Sequence, residues 1–138
     1  MGPVKALSVM QPWTWLLANR HKPIENRDWR CHYRGRVLLH AGKKVDRDAM
    51  RELRAGFHPV TGERLEIEFP DEFETGGIVG EAVVVDCVDR SDSSWFVGKF
   101  GIVMRDAKPL PFRPCKGALG FFVPEFAPSP QTAREAGR

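Results

Sequence analysis

Long apolar runs, paired cysteines and internal repeats are all missing from this chain of 138 residues. No stretch approaches the roughly 20 apolar residues of a membrane-spanning helix, because Gln11 and Pro12 interrupt the apolar N-terminal segment. The three cysteines are widely spaced and include no C-x-x-C pair, which argues against a disulfide framework and a zinc knuckle. We therefore expect a reduced, cytoplasmic protein with no metal, no cofactor and no membrane partner.

The charge of the chain is small in total and uneven in distribution. The formal net charge is +3. Residues 20–44 contain eight Lys or Arg against two acids, a net of +6, whereas residues 63–92 contain ten acids against two Arg, a net of −8. We expect one positive and one negative face.

The length allows one hydrophobic core and is short for two. We predict a single domain over residues 1–124, followed by a flexible tail over 125–138 that is rich in Pro, Ala and polar residues. The pattern within the domain predicts a small α+β fold, with a curved sheet or partly closed β-barrel of five to six strands flanked by helices. Strands are expected at 4–10, 36–41, 78–90, 101–105 and 117–123, helices at about 12–20 and 44–55, and an irregular acidic stretch at 57–77.

One segment of the sequence combines cations with aromatic residues. Pro23 prevents a regular helix, so Lys22, Glu25, Asn26 and Arg27 should project from a constrained, extended stretch. Cations beside aromatic rings suit nucleic acid, because phosphates bind Lys and Arg while unstacked bases pack on flat side chains. A solvated turn is the alternative interpretation.

The tryptophans near this segment are expected to divide between core and site. At about 100° per residue, Trp13 shares a helix face with Leu16 and Leu17, whereas Trp15 points the other way. We expect Trp13 in the core. Trp15 and Trp29 remain open between packing and base stacking.

Other candidates lie farther along the chain. Arg34, Lys43 and Lys44 are candidates for phosphate contacts, although solvation on the surface explains them equally well. His40 alternates with apolar residues on its strand and is expected to be a structural histidine.

Glu81 interrupts the most apolar predicted strand. An isolated carboxylate there would be costly, so Glu81 should either face water or pair with a cation such as Lys22, Arg27 or Lys43. Of these two interpretations, we favour a cation-paired Glu81 that lines a cleft.

Four segments of the sequence together resemble the ASCH domain, a member of the PUA-like superfamily. They are "LSVMQPWTWLL", "KPIENRDW", "YRGRVLLHAGKK" and "GALGFFV", and the resemblance covers about residues 4–123. It implies a small PUA-like β-barrel flanked by helices, a cleft with a basic floor, and RNA or DNA as the ligand. The predicted domain over 1–124 would be one ASCH domain.

The resemblance also implies roles for single residues. Lys22 and Arg27 match the K-x-x-x-x-R stretch of the family, and Glu81 matches the acid on its central strand. Some members of the superfamily are amidohydrolases that deacetylate acetylcytidine with this lysine, this acid and a threonine three residues after the lysine. Glu25 occupies the threonine position here, which removes the hydroxyl nucleophile. Other members are similar to ribonucleases or bind DNA and RNA.

We therefore predict a nucleic-acid-binding module that recognises a single-stranded segment or an extruded base, modified or not. The alternative is an amidohydrolase acting on an acylated nucleobase, with Lys22, Glu25 and Glu81 as catalytic residues, or a nuclease. A third possibility is an adaptor whose acidic loop meets a protein partner. The predicted binding residues are Trp15, Lys22, Glu25, Asn26, Arg27, Trp29, Arg34, Lys43, Lys44 and Glu81.

Overall fold

The computed structural model describes residues 3–126, which form one six-stranded sheet and two short helices. The sheet curls into a half-barrel, which confirms the predicted small α+β, PUA-like barrel. Most of the predicted tail, residues 125–138, lies outside the described residues. In chain order the elements are β1 (Lys5–Gln11), α1 (Trp13–Ala18), β2 (Ile24–Arg27), β3 (Gly35–Val45), α2 (Arg47–Arg54), β4 (Gly77–Val88), β5 (Phe100–Pro114) and β6 (Phe121–Phe122).

The strand order determines where α1 and β2, the elements between β1 and β3, lie relative to the sheet. The order is β2-β5-β4-β3-β1-β6, and β1 pairs parallel to β3 while every other pair is antiparallel. A parallel pair needs a crossover connection, which α1 and β2 supply here. Because β2 pairs with β5, it forms one edge of the sheet, and β5 and β4 separate it from β3. The inward side chains Leu7, Val37, Leu39, Val84 and Ile102 are fully buried in the main core.

Helix α1 packs directly on β4. Leu16, Leu17 and Ala18 are buried, and the side-chain oxygen of Gln11 accepts from the backbone N–H of Trp15 at 2.9 Å, which caps the first turn. A Cβ added to Gly80 would lie 2.7 Å from Cβ of Ala18. Glycine at position 80 therefore permits the close approach of this helix to the sheet.

Helix α2 begins later than the sequence predicted. Lys44 and Val45 continue β3, because Val45 pairs with Gln11 on β1. Asp46 then caps the helix by accepting from the backbone N–H of Ala49 at 3.1 Å. Residues 55–76 contain no named helix or strand, in agreement with the predicted irregular stretch. Within residues 3–126, neither helix is long and apolar enough to cross a membrane.

Candidate functional site

A cleft of about 770 Å³ opens between β1, β2, the start of α2 and the loop that precedes β5. Its lining comes from segments that are far apart in sequence, which the crossover of α1 and β2 brings together. The lining residues are Ser8, Val9, Met10, Trp13, Lys22, Glu25, Asn26, Arg27, Asp28, Trp29, Asp46, Asp48, Ala49, Glu52, Pro59, Val60, Trp95 and Val97.

The floor of the cleft is a buried cluster of three charged side chains. Glu25 accepts from Lys22 Nζ at 3.1 Å through Oε1 and from Arg27 Nε at 3.1 Å through Oε2. Lys22 also donates to the carbonyl of Ile24 at 2.6 Å, and Arg27 Nη2 donates to the carbonyl of Ser8 at 2.8 Å. Lys22 is 3% exposed and Glu25 is 7% exposed, so these pairs are shielded from water.

Lys22 and Arg27 can each donate a further hydrogen bond from the floor of the cleft. An ammonium carries three N–H donors, and two of those on Lys22 are used. Arg27 uses Nε and Nη2, while Nη1 has no hydrogen-bond partner within residues 3–126. The cluster of Lys22, Glu25 and Arg27 has a net charge of +1, so a ligand that reaches it meets donors rather than acceptors.

Three indole rings form the walls. Trp13 and Trp95 meet edge to face with ring centroids 6.3 Å apart, and Nε1 of Trp13 donates to Asp46 at 3.0 Å. Lys22 Nζ lies 5.4 Å from the ring centroid of Trp13, and Arg27 Cζ lies 5.9 Å from that of Trp29. The floor cations therefore contact the aromatic walls as well as Glu25.

Asn26 holds one wall in place. Its Nδ2 donates to the carbonyl of Trp95 at 2.9 Å, and its Oδ1 accepts from the backbone N–H of Val97 at 3.0 Å. Both ends of the amide are thus engaged by the loop before β5. Asn26 was predicted to bind the ligand, which stays a prediction, and its hydrogen bonds show that it also positions Trp95.

His58 supports Trp95 beside the cleft. Its ring centroid lies 3.9 Å from that of Trp95, and Nδ1 accepts from the backbone N–H groups of Val60 and Thr61 at 3.0 and 3.2 Å. Burial lowers the pKa of His58 below its ordinary value of 6.5. A neutral ring is required here, because protonation of Nδ1 would remove the acceptor of both hydrogen bonds.

The rim of the cleft has the opposite charge to its floor. Asp28, Asp48 and Glu52 are exposed at the mouth, so the full lining contains five acids and two cations. Met10 and Val97 are each 43% exposed, which adds apolar surface between the rim acids. The basic character implied by the family resemblance is therefore confined to the floor.

Half of the predicted site residues meet in this cleft. Lys22, Glu25, Asn26, Arg27 and Trp29 all line it. Trp29 is partly buried against the main core and meets Phe121 edge to face at 6.1 Å.

Trp15 lies outside the cleft. Its ring stacks on His21 at 5.4 Å and contacts Phe69 at 5.1 Å and Phe73 at 6.0 Å. The irregular stretch 55–76 thus covers the face of α1 that the sequence left without a partner. Packing explains this tryptophan.

Arg34, Lys43 and Lys44 also lie outside the cleft, on exposed surface. Arg34 donates to the carbonyls of Cys31 and Tyr33 at 3.0 and 2.8 Å. Their predicted phosphate contacts remain a prediction.

Glu81 pairs with cations, as expected, but these are not Lys22, Arg27 or Lys43, and Glu81 does not line the cleft. It forms ion pairs with Arg36 on β3 and with Lys108 on β5, the latter at 3.2 Å. Hydrogen bonds from Arg36 and then from Lys108 lower the pKa of Glu81. The error arose because strand neighbours on both sides supply exposed cations, which the sequence does not reveal before the register is known.

His40 is a buried structural histidine, as predicted. Its Nε2 lies 2.6 Å from the carbonyl of Cys115, which can only accept, so Nε2 carries the proton. Nδ1 then accepts from the hydroxyl of Ser8 at 3.0 Å. Both ring nitrogens are satisfied.

Two tryptophans of the cleft were not predicted to lie there. Trp13 was expected in the core; it packs on core residues with one edge and lines the cleft as well. Trp95 follows four polar residues, 91–94, and a large aromatic residue directly after a polar turn is the signal that marks it.

Comparison with known proteins identifies relatives of this chain. The sequence model of the ASCH domain matches residues 7–109. Activating signal cointegrator 1 from Homo sapiens is 34% identical over 85 residues, and the protein of the same name from Mus musculus is 33% identical over 85 residues. Each match covers 61% of this chain and 14% of the relative, so the similarity spans a small part of those longer proteins.

Proposed function

Because this chain belongs to the ASCH family, we propose that it binds single-stranded nucleic acid and that its cleft receives one unstacked base. The ASCH domain is associated with RNA binding, so RNA is the first ligand class to consider. The observation that supports the proposal most is the meeting of three indole walls with a donor-bearing floor in one cleft.

The size of the cleft favours a single base. Pockets for small ligands measure roughly 300–1,000 Å³, and the cleft measures about 770 Å³. A nucleoside fits within that volume, whereas a duplex does not. A base inside a duplex is also stacked on both faces, so it would have to be extruded or come from a single strand.

The chemistry of the cleft matches one face and one edge of a base. Trp29 offers an aromatic surface at the mouth side of Arg27, and stacking on such a side chain is worth about 1–3 kcal/mol per base. Arg27 Nη1 and the remaining donor of Lys22 would bind a carbonyl oxygen or ring nitrogen.

Strand phosphates would lie outside the cleft. Lys43 and Lys44 are exposed at the end of β3, close in sequence to Asp46, which lines the cleft. Such contacts position a strand without reading its sequence.

The amidohydrolase alternative loses one of its three predicted residues. Glu81 is engaged by Arg36 and Lys108 away from the cleft, and Glu25 is held between Lys22 and Arg27. Lys22 and Glu25 meet, but Glu81 lies apart from them, which supports binding over hydrolysis.

The test is a titration with short single-stranded RNA, single-stranded DNA and duplex, followed by NMR on the indole N–H signals. The chain has four tryptophans. We expect the signals of Trp13, Trp29 and Trp95 to shift with single strands, while the signal of Trp15 stays in place.

Matched variants complete the test. Trp29→Ala should weaken binding by about 1–3 kcal/mol, whereas Trp15→Ala should reduce stability and leave the affinity of the folded protein unchanged. Shifts confined to Trp15, or the absence of binding to any strand, would contradict the proposal.

A further inference from the structure

The cleft is positive at its floor and negative at its rim. From this arrangement of charges we infer that the cleft selects an electrically neutral ring with an inward-facing carbonyl. It disfavours both a terminal phosphate and a cationic ring. This inference rests on the proposed function and adds the chemical class of the ligand.

The floor excludes a cationic ring. The Lys22, Glu25 and Arg27 cluster carries a net charge of +1, and its partners are fixed by the hydrogen bonds described above. Lys22 and Arg27 already lie over one face of Trp13 and one face of Trp29, respectively. A cationic ring that reaches the floor would therefore meet like charge, and it would share each indole with a cation that is already bound there.

The rim excludes a terminal phosphate. A ring that stacks on one cleft indole with its carbonyl toward the floor would leave its ribose at the mouth, beside Asp28, Asp48 and Glu52. A phosphate monoester carries about −1.5 to −2 charges at neutral pH. Asp48 is partly compensated by Arg51 at 3.4 Å, whereas Asp28 and Glu52 have no ion-pair partner within residues 3–126.

The inner edge of the ligand is fixed by the remaining donors. Arg27 Nη1 and the third hydrogen of Lys22 both seek acceptors, and the one carboxylate on the floor is already shared by two cations. A carbonyl oxygen can accept from both donors, because it has two lone pairs. A neutral ring with an inward carbonyl is thus the ligand that satisfies floor, walls and rim together.

The experiment compares four probes by NMR on the cleft indole signals. Uridine and uridine 5′-monophosphate differ only in the phosphate, and cytidine and 3-methylcytidine differ in a methyl group that makes the ring cationic. We expect the monophosphate and the cationic ring each to bind about fivefold more weakly than its neutral partner at low salt.

Variants assign the phosphate effect to the rim. The double variant Asp28→Asn, Glu52→Gln should bring the two uridine ligands to within about twofold of each other. The matched double variant Glu66→Gln, Glu68→Gln removes two exposed acids outside the cleft and should leave the ratio unchanged.

The outcomes separate this inference from the proposed function. Suppose that single strands shift the signals of the cleft indoles. The proposed selectivity is then wrong, and nucleic-acid binding stands, if the monophosphate binds as well as uridine or if the rim variant leaves the ratio of the two affinities unchanged. If neither strands nor nucleosides shift the cleft indoles, both are wrong.

Discussion

Asn26 on β2 and Trp95 in the loop before β5 are joined by a hydrogen bond of 2.9 Å from the amide of the first to the carbonyl of the second. The same amide accepts from Val97 at 3.0 Å, so one side chain fixes three consecutive residues of the loop. The position of an aromatic wall of the cleft therefore depends on a residue that need not touch the ligand.

Asn26→Ala should lower the free energy of unfolding by about 1–3 kcal/mol, because two backbone groups lose their partner. It should also weaken binding of a single strand by roughly tenfold, because the Trp95 indole is no longer held. Urea unfolding and a binding titration at a temperature where the variant is folded measure the two effects.

Asn19→Ala is the matched control. Asn19 also donates its amide to the carbonyl of a tryptophan, Trp15, at 2.9 Å, but this contact lies away from the cleft. It should cost stability without changing affinity. Equal losses of affinity in the two variants would remove the proposed positioning role of Asn26.

A second prediction concerns pH. The pKa of His58 is lowered by burial, so below about 6.5 the unfolded chain binds a proton that the folded chain excludes. The contribution of neutral His58 is fully present above that pH and is lost as pH falls toward the pKa of the folded state. As the pH is lowered from about 7.5 to about 5, the free energy of unfolding of His58→Gln should therefore fall less than that of the wild-type protein. An identical pH dependence in the variant would show that other groups dominate.

The sequence predicts the elements better than it predicts their neighbours. Alternation and breaker residues placed β1, β3, β4, both helices and the irregular stretch, because these depend on local periodicity, whereas β2 was not predicted as a strand and β5 extends well beyond the predicted 101–105. The phase of α1 predicted that Leu16 and Leu17 are buried, which is correct, and left Trp15 without a partner. It did not reveal that Phe69 and Phe73, more than fifty residues later, cover that face.

The candidate site was predicted where it is local in sequence and missed where it depends on register. Lys22, Glu25, Asn26 and Arg27 lie within six positions of each other, so one constrained segment was enough to find them. Glu81 was misplaced because its partners follow from the pairing of β4 with β3 and β5. The rim acids were missed because they belong to α2 and a turn, whose place beside the cleft is set by the whole fold.

A third prediction tests the proposed path of the strand. Lys43→Gln with Lys44→Gln should weaken binding of every sequence and reduce the slope of log K against log salt by about 1.4, since each phosphate contact on a single strand contributes about 0.7. Lys5→Gln is the control, because Lys5 lies at the other end of the parallel β1 and β3 pair. A slope that responds to Lys5 and not to the pair would place the phosphates elsewhere.

The last prediction compares two carboxylates that each bind two cations. Glu25 holds Lys22 and Arg27 with side chains 3% and 22% exposed, whereas Glu81 holds Arg36 and Lys108 with side chains 55% and 60% exposed. Glu25→Gln leaves buried cations without their counter-charge and should lower the free energy of unfolding by about 3–5 kcal/mol. Glu81→Gln should cost at most about 1 kcal/mol, because water solvates the cations that it releases. Urea unfolding of both variants at neutral pH measures the difference. If Glu81→Gln lowers the free energy of unfolding much more than Glu25→Gln does, the floor cluster is not what stabilises the cleft.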